Sequence, residues 1–388
     1  MATTIALLRD EAFYSKLNPY LDEINKKCIA MNDNKKLCVD TTMNVIDAVI
    51  NQLKNKNPVF EYFFNGLTHV GSYFDGLRVK EATEFDLNIN LKIPCYLEKI
   101  KIENSSHTPG YVRINVKDAM FKHSEFYGLP CAREWMNWID EEKYLLPHKI
   151  LNWLDSVFSK ISDGGILHIS TNGKRYTVKR SMNGPANTLH ISEGGINIDV
   201  DLVPVIQFPS TIRPPVTVRW NEEMNAPWIV VPKPMADNTI WRLSFPEQER
   251  KLMNGQNHLK FVNRYLKRFR DVKGLNISSY YIKSLFLWEA HEKWQNHDEI
   301  FWNKPVSYLF VYMLVKLAES LEKKSLKFYW HTELNLYRQN WSPTINENLE
   351  NMRGYVINVI KSINQLIERG YDPAIRAYIC QIFGVSFF

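Results

Sequence analysis

The 388-residue chain has no stretch approaching the ~18 consecutive apolar residues of a membrane-spanning helix, so no membrane partner is expected. It also lacks cysteine pairing. Its five cysteines (Cys28, Cys38, Cys95, Cys131 and Cys380) are odd in number and widely scattered. That pattern excludes a disulfide framework and a Cys-x-x-Cys metal site, and predicts buried free thiols in a reducing compartment. Met1-Ala2-Thr3-Thr4-Ile5 lacks the charged-then-apolar layout of a secretion signal, and a cytoplasmic location is expected. There is no internal repeat and no low-complexity tract. Nor is there a strong excess of one charge: 48 basic residues stand against 42 acidic ones, a net +6. An anionic partner is compatible with that balance but not demanded by it. What is plentiful is apolar and aromatic residues, at 45% and 13%. A chain of this length can bury the core of one large domain or of two lobes.

The densest chemistry lies in two alternating runs. Glu84-Phe85-Asp86-Leu87-Asn88-Ile89-Asn90-Leu91 reads as a half-buried strand. Side chains at i and i+2 of a strand share a face, so Glu84 and Asp86 present two hard oxygen ligands side by side. Such a pair suits Mg²⁺, which prefers oxygen and keeps coordination positions for phosphate. Upstream, Gly71-Ser72 ends an apolar stretch. Glycine lets the backbone approach a ligand, and serine adds a hydroxyl. The second run, Ile196-Asn197-Ile198-Asp199-Val200-Asp201-Leu202-Val203, puts Ile196, Ile198, Val200 and Leu202 on one face and Asn197, Asp199 and Asp201 on the other. Two acids on one strand face repel, and a bound dication would relieve that. Gly-Ser, a spacer, Glu-x-Asp and a later acidic strand is an arrangement that holds a nucleoside triphosphate with two metals. Asp199 and Asp201 are both open for the third ligand.

Val70-Gly71-Ser72-Tyr73-Phe74-Asp75-Gly76 through Glu84-Phe85-Asp86-Leu87 resembles the catalytic segment of cyclic GMP-AMP synthase and the cGAS-like receptors. Ile198 to Pro204 resembles the strand of that family's third metal ligand. Trp241-Arg242-Leu243-Ser244-Phe245 resembles its base-recognition segment, and Ser278-Ser279-Tyr280-Tyr281-Ile282-Lys283 the segment that stacks a base and touches phosphate. The four motifs run in order over residues 58 to 290, and Glu333-Leu334-Asn335-Leu336 continues the likeness more weakly.

The resemblance implies an α+β, bilobed nucleotidyltransferase fold: a mixed twisted sheet with a long N-terminal helix, then a helical C-terminal lobe. The expected division is 1–212 and 213–388, with Pro209, Pro214 and Pro215 marking the connection. It implies Glu84, Asp86 and Asp201 as ligands for two Mg²⁺ or Mn²⁺, Asp201 being preferred because it stands just before Leu-Val-Pro. Gly71 and Ser72 would hold the β- and γ-phosphates. Arg242 and Ser244 would contact a base edge, Tyr280 would stack, and Ser279 and Lys260 would touch phosphate. The implied reaction turns ATP and GTP into a cyclic dinucleotide, cyclic GMP-AMP, in innate immunity. A catalytically inactive nucleic-acid-binding relative and a linear nucleotide-adding polymerase are the alternatives.

The vertebrate enzyme carries a His/Cys zinc insertion between the Arg-x-Ser segment and the basic helix. Here Leu252 to His258 offers one histidine and no cysteine, and zinc needs about four N/S ligands, so no zinc is expected. This places the chain with the zinc-less invertebrate type and favours double-stranded RNA over DNA as activator, with a dimer on nucleic acid as a further expectation. Lys26, Lys27, Lys35 and Lys36, on the polar face of a helical stretch over 10–55, are the expected nucleic-acid contacts. Asn32-Asp33-Asn34 is a candidate break in that stretch. Beyond residue 240 helical spacing dominates, over Leu259–Phe269, Tyr280–Trp294, Tyr308–Leu321 and Gly354–Arg369.

Overall fold

Alternation marks both acidic runs as strands. In the computed structural model, which describes residues 6–386 except 106, 123–125, 127, 216, 299 and 339–343, both are strands. The first, Glu84–Leu91, is half-buried only over Glu84–Asp86, however, and is enclosed on both faces from Leu87, with Asn88 and Asn90 buried. The chain forms two compact units, one of residues 32–75 and 81–248, the other of 1–31, 76–80 and 249–388.

The first unit carries a ten-stranded sheet. It contains β1 (Phe64–Val70), β2 (Glu84–Leu91), β3 (Lys101–Asn104), β4 (Tyr111–Asn115), β5 (Ile166–Thr171), β6 (Lys174–Asn183), β7 (Ala186–Glu193), β8 (Ile196–Phe208), β9 (Trp228–Pro232) and β10 (Ile240–Ser244). β5 to β8 form an antiparallel meander, its last turn made by Gly194-Gly195 as the sequence suggests. The thirteen-residue β8 is the hinge of the sheet: its first part pairs in parallel with β2 and its last three residues pair antiparallel with β9. The sheet is therefore mixed, as expected. Ile198, Val200 and Leu202 are fully buried, while Asp199 is exposed and Asp201 half-buried.

Helix α1 (Lys35–Lys56) lies against β5, β7 and β8 through Val45, Ile46, Val49, Ile50 and Leu53. It begins just after Asn32-Asp33-Asn34, where the helical stretch does break. Asn57 caps the next helix, α2 (Pro58–Phe63): its side-chain oxygen accepts from the Val59 and Phe60 amides at 3.0 and 3.1 Å, and proline takes the first turn. α2 leads directly into β1, and β1 into the one-turn α3 (Gly71–Phe74). Phe63 stacks on Trp138 at 4.2 Å between ring centroids, beside Trp153 of α4 (Pro147–Ser159). This aromatic core fixes the end of α2 from which β1 starts.

The second unit is mostly helical: α5 (Asn257–Lys273), α6 (Ser279–Gln295), α7 (Val306–Glu322), α8 (Ile345–Arg369) and α9 (Asp372–Phe383), with the short helix Asn18–Ile24 and a two-stranded ribbon, β11 (Lys327–Phe328) and β12 (His331–Asn335). α5 and α8 both end on a left-handed glycine, Gly274 and Gly370, whose amides close the last turn. Helices follow the apolar spacing because each buries one stripe; α7, apolar almost all round, is the most enclosed. All five cysteines are buried and free. No helix among the described residues is long and apolar enough to cross a membrane.

Candidate active site

Strand register assembles the acids. β1 and β2 pair so that Val70 stands opposite Asp86, and the chain leaves β1 at Gly71. Gly71 has φ +81°, and a Cβ there would lie 1.8 Å from Asp86 Oδ2. Both conformation and space thus require glycine, and its absent side chain is what lets the Asp86 carboxylate lie against the Gly71-Ser72 turn. In the parallel pairing of β2 with β8, Glu84 faces Asp199 and Asp86 faces Asp201. Four carboxylates therefore occupy two neighbouring rungs.

The rungs differ in what holds them. Thr188 of β7 donates its hydroxyl to Asp201 Oδ1 at 2.6 Å. One rung away His190 Nδ1 lies 2.7 Å from Asp199 Oδ1, and its Nε2 lies 2.8 Å from Ser181 Oγ. The ring of His190 thus bridges the Asp199 carboxylate and the Ser181 hydroxyl. Both β8 carboxylates are held from β7, Asp199 by a histidine and Asp201, opposite Asp86, by a smaller hydroxyl. The donors are all oxygen, the set that Mg²⁺ or Mn²⁺ takes. Among the described residues, however, no three His, Cys, Asp or Glu side chains already converge as a metal cage. The backbone aligns the carboxylates; closing them on an ion requires side-chain rotation.

Arg242 and Ser244 sit on β10, both half-buried, between β4 and β9. The strand is pinned by Trp241, whose indole N–H donates to the Leu145 carbonyl at 3.0 Å. Lys233, just past β9, joins Arg242. Partial burial first and the Arg242 charge second hold its ammonium below the usual lysine value, although the residue as a whole stays exposed.

Lys260, Ser279 and Tyr280 belong to the helical unit. The Lys260 stem passes Gly76, where a Cβ would meet its Cδ at 3.4 Å. Ser279 Oγ accepts from Arg270 at 2.7 Å. The Tyr280 hydroxyl donates to Glu249 Oε1 at 2.7 Å, Trp330 donates to the same oxygen at 2.9 Å, and Lys283 pairs with Oε2 at 2.5 Å. Glu249, 4% exposed, is thus a node that fixes the Tyr280 ring. Sequence reasoning missed Thr188, Lys233 and this node. Glu249 follows the Trp-Arg-Leu-Ser-Phe motif closely, which was the available hint; a lone glutamate in a charged helix carries no other.

Of the four lysines expected to meet nucleic acid, all exposed, Lys26 and Lys27 fall in the helical unit and Lys35 and Lys36 in the sheet unit. Lys27 pairs with Glu23 at 2.6 Å, and the Lys35 ammonium lies 5.9 Å from the Tyr73 ring centre.

A strand-borne Glu-x-Asp pair, a glycine turn pressed on its aspartate and a parallel acidic strand define a nucleotidyltransferase-type site. Comparison with known proteins gives the same class. Residues 73–255 match the Mab-21 protein nucleotidyltransferase domain and residues 257–353 the Mab-21 protein HhH/H2TH-like domain. A cyclic GMP-AMP synthase-like receptor of Aethina tumida is 31% identical over 361 residues, covering 90% of this chain and 88% of that protein. Another from Ctenocephalides felis is 30% identical over 388 residues, with coverages of 92% and 86%. Cyclic GMP-AMP synthase-like receptor 1 of Drosophila melanogaster is 30% identical over 306 residues, with coverages of 76% and 79%. The chain belongs to the Mab-21 nucleotidyltransferase family, among the cyclic GMP-AMP synthase-like receptors.

Proposed function

We propose that this protein is a metal-dependent nucleotidyltransferase that makes a cyclic dinucleotide, cyclic GMP-AMP, from ATP and GTP when double-stranded RNA is bound, as an immune signal. The observation that carries the reading is the register of Asp86 against Asp201 with Gly71 pressed on the Asp86 carboxylate. Glu84, Asp86 and Asp201 hold two Mg²⁺ or Mn²⁺, which when bound neutralise charge on the reacting oxygens. Thr188 fixes one oxygen of Asp201 from the β7 side of the strand, across β8 from Asp86. Gly71 and Ser72 hold the triphosphate tail while a ribose hydroxyl displaces pyrophosphate from the α-phosphorus. Arg242 and Ser244 donate to a base edge, and Lys233 adds a second cation beside Arg242. For Lys260, Ser279 and the Glu249-anchored Tyr280, contact with phosphate and base rests on the motif. No structural zinc takes part. Duplex RNA is recognised by phosphate charge and shape, through Lys26 and Lys27 on one unit and Lys35 and Lys36 on the other.

Incubating the purified chain with labelled ATP and GTP and Mg²⁺, with and without duplex RNA or DNA, tests this. The expected product is a cyclic dinucleotide, formed faster with RNA. An oligonucleotide ladder would make it a linear polymerase, and stimulation by DNA alone would reverse the choice of activator. A second reading is a nucleotidyltransferase fold that binds nucleic acid without catalysis. Absence of any product with Mg²⁺ or Mn²⁺ under every nucleic acid would favour it. Charge reversal of Lys26/Lys27 and of Lys35/Lys36, made separately, should each lower RNA affinity. The salt slope of binding should fall with it, by up to about one unit for each phosphate no longer neutralised.

A further inference from the structure

At the end of α7, in the helical unit, four cations gather around a single acid. Lys323, Lys324, Lys327 and Arg338 line an open cavity of about 540 Å³, in which Glu333 is the one lining carboxylate. Among the described residues none of the four is joined in an ion pair. Their carriers are tied to one another. Asn335 Nδ2 donates to the Lys324 carbonyl at 2.9 Å, and its Oδ1 accepts from the Leu326 and Tyr337 amides at 3.1 and 3.2 Å. Leu336 adds a 2.7 Å backbone bond to the Leu326 carbonyl. One asparagine thus locks the turn bearing Lys323, Lys324 and Lys327 to the segment bearing Arg338. Lys324 itself stands at φ +49°, a left-handed position that favours glycine, yet it presents a long cation there. Like charges lining one cavity repel, and an anion bound there would relieve that.

Lys324 and Arg338 also line a second cavity of about 250 Å³, walled by Tyr337, Ile345, Asn346 and Leu349. We infer that the two cavities are one binding site for a nucleoside di- or triphosphate, with phosphates against the cations and the base against Ile345 and Leu349. A duplex backbone is followed by cations set along a line; four cations around one concavity, with a side chamber that mixes polar groups with Tyr337, Ile345 and Leu349, suit a compact phosphate chain with a ring attached. This inference does not rest on the catalytic reading, because the site shares no residue with it.

The test is calorimetric titration of the full chain with inorganic tripolyphosphate and with ATP, in EDTA so that no turnover occurs. Tripolyphosphate should bind, more weakly as salt rises, and ATP more tightly than tripolyphosphate. Lys324→Glu/Arg338→Glu should weaken tripolyphosphate by at least about tenfold, the least that removal of one charged hydrogen bond gives. Lys324→Gln/Arg338→Gln, checked by circular dichroism, guards against misfolding and should weaken it in the same direction. Asn346→Trp should reduce the advantage of ATP. No tripolyphosphate binding, or equal affinity in the Gln variant, overturns the site. If instead the Gln variant loses duplex-RNA affinity while tripolyphosphate never binds, the patch is a nucleic-acid surface and the nucleotide assignment is wrong.

Discussion

In the sheet unit Glu84, Asp86, Asp199 and Asp201 stand on two adjacent rungs at an open or half-open face, whereas in the helical unit Glu249 and Glu289 are buried against Lys283 and Lys316. The helical pairs are part of the packing. Glu249 also accepts from Tyr280 and Trp330, and Glu289 from Tyr312 at 2.6 Å. Burial pushes the Glu289 carboxyl up and the Lys316 charge opposes it. The sheet acids face one another across the β2–β8 pairing, and those on β8 take neutral or histidine partners from β7 in place of a lysine. Like charges facing across a pairing oppose it, whereas an acid enclosed with a cation contributes to the packing.

Substitutions can break that contrast. The largest effect is expected at Asp86. Asp86→Asn, alone or with Glu84→Gln, should lower product formation by about 10²-fold or more while the denaturant midpoint holds or rises. A variant that keeps activity but unfolds easily would make the acid structural. Glu249→Leu should do the reverse in kind. It takes the Glu249 carboxylate away from the buried Lys283, Tyr280 and Trp330 donors, and unfolding should show a loss of roughly 3–5 kcal/mol. A loss under about 0.5 kcal/mol, the ordinary surface range, would mean that the helical unit does not depend on this node.

Within the sheet the contrast sharpens to one rung. Asp201→Asn should be the more damaging of the two β8 changes and Asp199→Asn the milder, with Thr188→Val falling between, about 10-fold down as for a group that orients a metal ligand. Turnover lost in Asp199→Asn but kept in Asp201→Asn would move the site one rung toward Glu84.

The smallest effect is at the surface of the helical unit. Hydrogen bonds from Arg376 and Lys27 hold the Glu23 carboxyl at about 2. A depressed carboxylate stabilises the fold above its unfolded value, about 4.3, and the contribution is lost as pH falls toward the folded one. Unfolding of Arg376→Ala should therefore show a small deficit near neutral pH, screened because the pair is partly exposed, and vanishing in acid. A deficit that grew in acid would reverse the sign.

Local sequence determined which strands and helices form and which face each residue takes. The alternation at 84–91 and 196–203 sets acids on one side and Phe85, Leu87, Ile198, Val200 and Leu202 on the other, because a strand has a period of two whatever it pairs with. Helical spacing beyond residue 240 was legible for the same reason, and the order of four motifs was enough to identify the family. What the alternation left open was register. That Asp201 and not Asp199 faces Asp86, that Thr188 holds one and His190 the other, and that Gly71 touches the Asp86 carboxylate follow from pairing among β1, β2, β7 and β8, the β2–β8 partners lying 115 residues apart. The Glu249 node, the Lys233–Arg242 proximity and the Asn335 lock are likewise tertiary. A buried charge is tolerated only where a particular partner arrives, and no local pattern records the partner.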